Sequence, residues 1–198
     1  MSATLLEPVI ILATATYFVG AIPFGLLFAR WLTGKDPREH GSGNTGATNA
    51  LRTGGKKVGI LTLIADVFKG VIPVSMAMAL DFNESQILIV ALAAFLGHIF
   101  PVYLKFKGGK GVATMFGVLL PWEPLTAVIS FAVWLIVFKL TRYVSLASIL
   151  AGFALPLAAW GLGASDAAVV GCLIVGGIMT IRHHENVSRL IAGTEFKV

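Results

Sequence analysis

The chain has 198 residues, 57% of them hydrophobic and only 13% charged, with a formal net charge of +5. Soluble domains carry about 25% charged residues, so this composition argues against both a disordered chain and an ordinary water-soluble globule. The one Cys excludes a disulfide framework and a Cys-rich metal site.

A membrane helix needs about 20 apolar residues. In chain order, apolar runs predict spans over 8–32, 58–80, 86–104, 112–121, 124–140, 143–162 and 167–182. The expected fold is an all-α polytopic membrane protein with about seven transmembrane helices, forming one domain over residues 1–198. The fourth run is short and stops at Pro121-Trp122-Glu123-Pro124, the pattern of a tilted or partial span. No Lys or Arg precedes the first run, so it does not read as a cleaved signal peptide.

Charge predicts the orientation. Arg30, Lys35, Arg38, Arg52, Lys56 and Lys57 surround the first loop, and Lys105, Lys107 and Lys110 lie in the next loop on that side. Lys139, Arg142, Arg182, Arg189 and Lys197 complete the set, leaving only Lys69 inside a span. The opposite side holds Glu7, Asp81, Glu84, Glu123 and Asp166 with no Lys or Arg. By the positive-inside rule the N-terminus is outside and the C-terminus cytoplasmic. The positive charge then needs no nucleic-acid partner.

Polarity is concentrated in three cytoplasmic segments. Residues 40–57 read HGSGNTGATNALRTGGKK, in a loop expected to run from Thr33 to Lys57. Glycines there let backbone amides approach a ligand. Ser42, Asn44, Thr48 and Asn49 add polar side chains, and Arg52 can grip a phosphate in a bidentate contact. Residues 105–114 read KFKGGKGVAT, with Gly108, Gly109, Lys110 and Gly111 preceding an apolar helix. A helix N-terminus fed by glycines suits an anion. Gly111 and Leu104 occupy positions where a nucleotide-binding Walker loop needs Ser or Thr and Gly. The tail, RHHENVSRLIAGTE over 182–195, places His183 and Asn186 three residues apart, on one face of a continuing helix. No Cys and no third well-spaced His makes a zinc site there.

Within the second span, Asp66 and Lys69 are one turn apart. Each alone would cost about 2.5–3.5 kcal/mol at a helix centre, so both face the protein interior. His98 reads as a packed histidine near a span end and Cys172 as inert. No G-x-S-x-G elbow surrounds Ser42, and the His-x4-Asp motif of common membrane acyltransferases is absent.

Three segments, GSGNTGATNALR with Asp66…Lys69-Gly70, GHIFPVYLKFKGGKGVAT, and RHHENVSRL…Gly193-Thr194-Glu195, resemble the motifs of the bacterial acyl-phosphate–dependent glycerol-3-phosphate acyltransferases, the PlsY family. RYVSLAS over 142–148 resembles that family too. The resemblance implies a multi-pass protein of the bacterial inner membrane with its active site facing the cytoplasm. It implies acyl transfer from acyl phosphate to the 1-hydroxyl of glycerol 3-phosphate, giving lysophosphatidic acid and phosphate. This is the first acylation of phospholipid synthesis. No cofactor and no metal is implied; the partners are the two substrates and membrane lipids, with a functional link to the enzyme supplying acyl phosphate.

Carried over by motif position, Ser42, Asn44, Thr48, Asn49 and Arg52 line the glycerol-phosphate pocket, and Gly108, Gly109, Lys110 and Gly111 bind the acyl-phosphate head. His183 and Asn186 orient the acceptor, Ser148 adds a hydrogen bond, and Lys69 helps neutralise phosphate. Asp66, His98 and Glu195 support these groups. The proton acceptor is His183 or, preferred here, a phosphate oxygen of the donor. The competing reading is a transporter of a phosphorylated solute, against which the polar residues cluster on one side and no paired broken helices appear.

Overall fold

The computed structural model describes residues 3–197, and all regular structure among them is helical. The helices are α1 (Ala3–Gly20), α2 (Phe24–Thr33), α3 (Ala47–Ala79), α4 (Glu84–Ile99), α5 (Val112–Trp122), α6 (Pro124–Thr141), α7 (Val144–Gly161), α8 (Asp166–Ile181) and α9 (His184–Ile191). Five segments are long and apolar enough to cross a membrane: Glu7–Thr33, Ala47–Ala79, Glu84–Leu104, Pro124–Thr141 and Val144–Gly161. A sixth is α8 with α9, if that pair, bent by 54°, is one span. The expected count of seven is therefore not reached by length. The difference lies in α5, whose 11 residues rise about 16 Å, roughly half of a ~30 Å hydrocarbon layer.

The chain divides into two compact units, Met1–Trp122 and Glu123–Val198. In the first, α1 crosses α4 where a Cβ on Gly20 would strike the Ala94 backbone and one on Gly97 the Tyr17 carbonyl. Helices α3 and α5 meet at Gly70 and Gly117 in the same way. Small residues allow such backbone approach where apolar burial does not drive helices together. In the second unit, Gly152 of α7 meets Gly176 of α8, and Ser130 of α6 donates to the Ala151 carbonyl of α7 at 3.0 Å.

Two local departures from the expected elements shape the first unit. The predicted span over 8–32 is broken between α1 and α2. Pro23 has no N–H to continue the helix, and the Phe24 amide turns back to the Ile22 carbonyl at 3.0 Å. The predicted loop to Lys57 is also wrong from Ala47 onwards, where α3 starts. Residues 47–54 are helical, Gly55 then adopts φ 83° and ψ 178°, and the chain folds back on itself. Leu51 fills the space that a Cβ on Gly59 would need. Ala50 packs with Ala29 and Val58. This short helix is amphipathic, and its Thr, Asn and Arg made it read as loop.

Candidate active site

The segment between α2 and α3 is ordered by two side chains. Asp36 accepts from Arg30 Nη2 at 2.8 Å and from Arg38 Nη2 at 2.7 Å, Nε at 3.0 Å and its backbone amide at 2.9 Å. The Arg38 guanidinium holds the Asp36 carboxyl well below the usual carboxylate range, against the upward push of burial. Asn49, buried on α3, donates through Nδ2 to the carbonyls of Pro37, His40 and Asn44 at 2.7, 3.1 and 2.8 Å. Its Oδ1 accepts from the Ser42 amide at 2.9 Å. The polar atoms of Asn49 are thus taken up by the loop, so this residue shapes the pocket and does not present itself to a ligand. Ser42, Asn44 and Thr48 are half-buried around it, and Arg52 is exposed one turn beyond Thr48.

Below this loop lies a narrow cleft lined by Ile22, Pro23, Thr45, Lys69, His98 and Gly108. Gly25 permits it, since a Cβ there would collide with the Thr45 carbonyl and approach Thr62. Asp66 and Lys69, 2% and 4% exposed, form an ion pair at 2.8 Å. Lys69 Nζ also donates to the Ile22 carbonyl at 3.4 Å, at the α1–α2 break. His98 Nδ1 lies 3.7 Å from the same Asp66 oxygen. Thr114 of α5 donates to the Asp66 backbone carbonyl at 3.0 Å. A buried ammonium thus reaches the cleft with one carboxylate beside it.

The Gly108–Gly111 turn differs from expectation. The amides of Gly108 and Gly109 donate to the Ile99 and His98 carbonyls, both at 3.1 Å, and so cap the end of α4. They are not presented to an anion. Gly109 has no room for a Cβ, because the His98 ring lies against it. Gly111 takes a positive φ of 87° beside the Phe95 ring, aiming the chain into α5. The first-turn amides of α5 lack intrahelical partners, as at every helix start, and Lys110 stands at that end.

In the second unit, α9 follows α8 after the 54° bend. Buried His183 donates from Nδ1 to the Met179 carbonyl at 2.8 Å. A carbonyl only accepts, so Nδ1 carries a proton, and in a neutral ring Nε2 is then the acceptor nitrogen. Asn186 Nδ2 donates to Glu195 Oε1, as does Ser145 Oγ, and Arg189 Nε donates to Glu195 Oε2. Ser148 is engaged on both sides: its hydroxyl donates to the Val144 carbonyl at 2.8 Å and accepts from Trp134 Nε1 at 3.2 Å. It joins α6 to α7.

Of the sequence-derived site residues, the structure gathers Asp66, Lys69, His98 and Gly108 around one cleft, and His183, Asn186 and Glu195 around one tail. Reading the sequence missed Asp36 and used Arg38 only as a charge that sets orientation. The Asp-Pro-Arg run at 36–38 was the available signal, a carboxylate two residues from a guanidinium. No group of three or more His, Cys, Asp or Glu side chains placed to hold a metal occurs among the described residues.

The chain matches the family model described as glycerol-3-phosphate acyltransferase over residues 10–193. It is 46% identical over 186 residues to a glycerol-3-phosphate acyltransferase of Syntrophotalea carbinolica, covering 93% of this chain and 95% of that one. A glycerol-3-phosphate acyltransferase of Pseudomonas aeruginosa is 44% identical, with 93% and 97% covered. Two crystal structures of PlsY, an integral membrane glycerol 3-phosphate acyltransferase, are similar. The glycerol 3-phosphate form has a TM-score of 0.92 at 40% identity, covering 96% of both chains. The lysophosphatidic acid form has a TM-score of 0.89 at 38% identity, covering 96% and 95%.

Proposed function

The chain belongs to the glycerol-3-phosphate acyltransferase (PlsY) family, and we propose that its donor is acyl phosphate and its product lysophosphatidic acid. The observation that carries this reading is the cleft in which the loop after α2 and the Gly108 turn, far apart in sequence, meet at buried Lys69. Lys69, its charge balanced by Asp66 at 2.8 Å, supplies ammonium donors where these segments converge.

In this reading the acceptor hydroxyl attacks the acyl carbonyl carbon. The bond from that carbon to the phosphate oxygen breaks, and phosphate leaves with the electron pair. Ser42, Asn44, Thr48 and Arg52 hold the glycerol phosphate, in a loop that Asn49 keeps open. Lys69, Lys110, Gly111 and the start of α5 hold the donor head, with Gly108 and Gly109 setting the turn. His183 accepts a hydrogen bond from the acceptor hydroxyl at Nε2, and Asn186, fixed by Glu195, orients the same molecule. The Nδ1 partner of His183 is a neutral carbonyl, which strengthens the ring as a base less than a carboxylate does. The departing phosphate takes the proton. Catalysis is then mostly positioning and charge stabilisation.

In this reading the chain is a single functional domain over 1–198. The charge segregation supports a multi-pass bacterial cell-membrane protein crossing seven times, N-terminus outside and active site towards the cytoplasm. The test is product formation by purified protein in detergent, with no compartments for a transporter to act between. Lysophosphatidic acid should form from acyl phosphate and glycerol 3-phosphate. Equal use of acyl-CoA would overturn the donor assignment.

A further inference from the structure

An open groove of about 490 Å³ runs along α2 in the first unit, walled by Ile22, Pro23, Leu26, Leu27, Tyr103 and Leu104. Small-molecule sites occupy roughly 300–1,000 Å³. One end is bounded by Arg30 and Arg38, which share the Asp36 carboxylate. Of the two guanidinium groups, Asp36 engages Nη2 of Arg30 and Nε and Nη2 of Arg38. Each guanidinium therefore keeps further N–H donors at side-chain exposures of 56% and 42%. Two cations on one anion leave a net charge of +1. At its other end the groove adjoins the Lys69 cleft, since Ile22, Pro23 and Leu104 line both.

These ends differ in character along a known length. The 10 residues of α2 rise about 15 Å, close to one leaflet of a ~30 Å hydrocarbon layer. Ile22 and Pro23 are half-buried just before the start of this helix, and Arg30 is in its last turn. A molecule lying in the groove meets positive charge where the basic loop begins and apolar walls below it. That is the pattern of a single-chain amphiphile with an anionic head, standing as it does in a membrane leaflet.

We infer that this groove is the lateral entry site for the acyl-phosphate donor, with the donor head first held by Arg30 and Arg38 and its chain laid against Leu26 and Leu27. The head then moves along α2 to the Lys69 cleft. The inference rests on acyl phosphate being the donor.

The test uses purified protein in phosphatidylglycerol nanodiscs and a non-transferable alkyl phosphonate carrying a photoreactive diazirine on its chain. Adducts should map to the segments containing Leu26–Leu27 or Tyr103. Leu27→Trp, which fills the groove at an exposed position, and Arg30→Gln should each reduce them about tenfold, the scale of one charge-assisted contact or one blocked seat. Leu27→Trp should raise KM for acyl phosphate with kcat and the KM for glycerol 3-phosphate unchanged, whereas Arg30→Gln, which also loosens the loop held by Asp36, is read by the adducts alone. Adducts confined to other surfaces, or displaced equally by added diacyl phosphatidylglycerol, would show a general lipid contact and overturn the assignment. Displacement by lysophosphatidic acid with altered product inhibition and an unchanged donor KM would make it a product exit, which also overturns it. A protein that turns over acyl-CoA and not acyl phosphate fails at the donor reading itself; normal acyl-phosphate turnover with no groove adduct fails at the groove alone.

Discussion

Asn186 and Glu195 are joined by a 2.7 Å hydrogen bond from the amide of one to the carboxylate of the other. The same carboxylate accepts from Ser145 at 2.9 Å and Arg189 at 2.8 Å, so one residue ties α7, α9 and the tail together. Burial pushes the Glu195 carboxyl up, and the hydrogen bonds from Asn186, Arg189 and Ser145 outweigh it, leaving it below the ordinary 4.5. A depressed folded pKa stabilises the fold above the unfolded value and loses that stabilisation as pH falls towards the folded one. Thermal unfolding in detergent should therefore be flat in this contribution from pH 7 to 5 and weaken below about 4.5. Glu195→Gln should blunt that dependence and lower kcat, while keeping an oxygen to accept from Asn186. An unchanged acid limb in the variant would assign the effect to another group.

Asn49 makes four contacts with the loop that no other residue type of its size reproduces. Asn49→Asp is nearly isosteric, yet it removes both N–H groups and faces a carboxylate with three carbonyls. Each buried polar group left unmatched costs about 1–3 kcal/mol, so the variant should lose activity beyond a hundredfold and unfold at lower temperature. Asn49→Ala should be less harmful than Asn49→Asp, because it adds no charge. The reverse order, measured by activity and thermal unfolding, would place Asn49 on the ligand.

Continuous hydropathy made the long helices legible, and the i,i+3 spacing made the Asp66–Lys69 pair legible. The break at Pro23 was hidden because Ala21, Ile22, Phe24 and Leu26 keep the run apolar through it. Residues 47–54 were read as loop because their apolar face, Ala50 and Leu51, is only two residues wide. His98 belongs to another helix from Asp66, and no sequence spacing reports a contact made by tertiary packing. The Gly108 and Gly109 amides illustrate a further limit: glycine composition shows that a backbone is accessible, while the direction of its N–H groups depends on the helix before it.

Topology is tested at Asn83, the N-cap of α4, and Thr53, near the Gly55 turn. Cysteines introduced there should react with impermeant thiol reagents from opposite sides of the membrane. The native Cys172 is fully buried and adds little background. Labelling of both from one side would overturn the orientation drawn from the basic residues.

Arg52 should distinguish the two substrates. Lys keeps the charge and loses the planar fork, so Arg52→Lys should raise KM for glycerol 3-phosphate about tenfold, the loss of one bidentate contact, with a smaller change for acyl phosphate. Plain glycerol should be a very poor acceptor for the unmodified protein. Equal shifts in both constants on steady-state analysis would make Arg52 a general support of the site.

Asp66 and Lys69 separate folding from chemistry. Each is buried against the other at 2.8 Å, and removing one partner of a buried pair costs about 3–5 kcal/mol because the other charge is stranded. Asp66→Leu should strand Lys69 beside the Ile22 carbonyl, its remaining acceptor there, and Lys69→Leu should strand Asp66 beside His98. Both single variants should be poorly stable in detergent. Replacing both with Leu removes the two charges together, and such apolar replacements are often neutral or stabilising. Asp66→Leu with Lys69→Leu should therefore regain much of the thermal stability. It should remain inactive, because the cleft has lost the cation assigned to the donor head. A double variant that is both stable and active would reduce the pair to a helix tie, and the donor head would have to be held by Lys110 and the start of α5 alone.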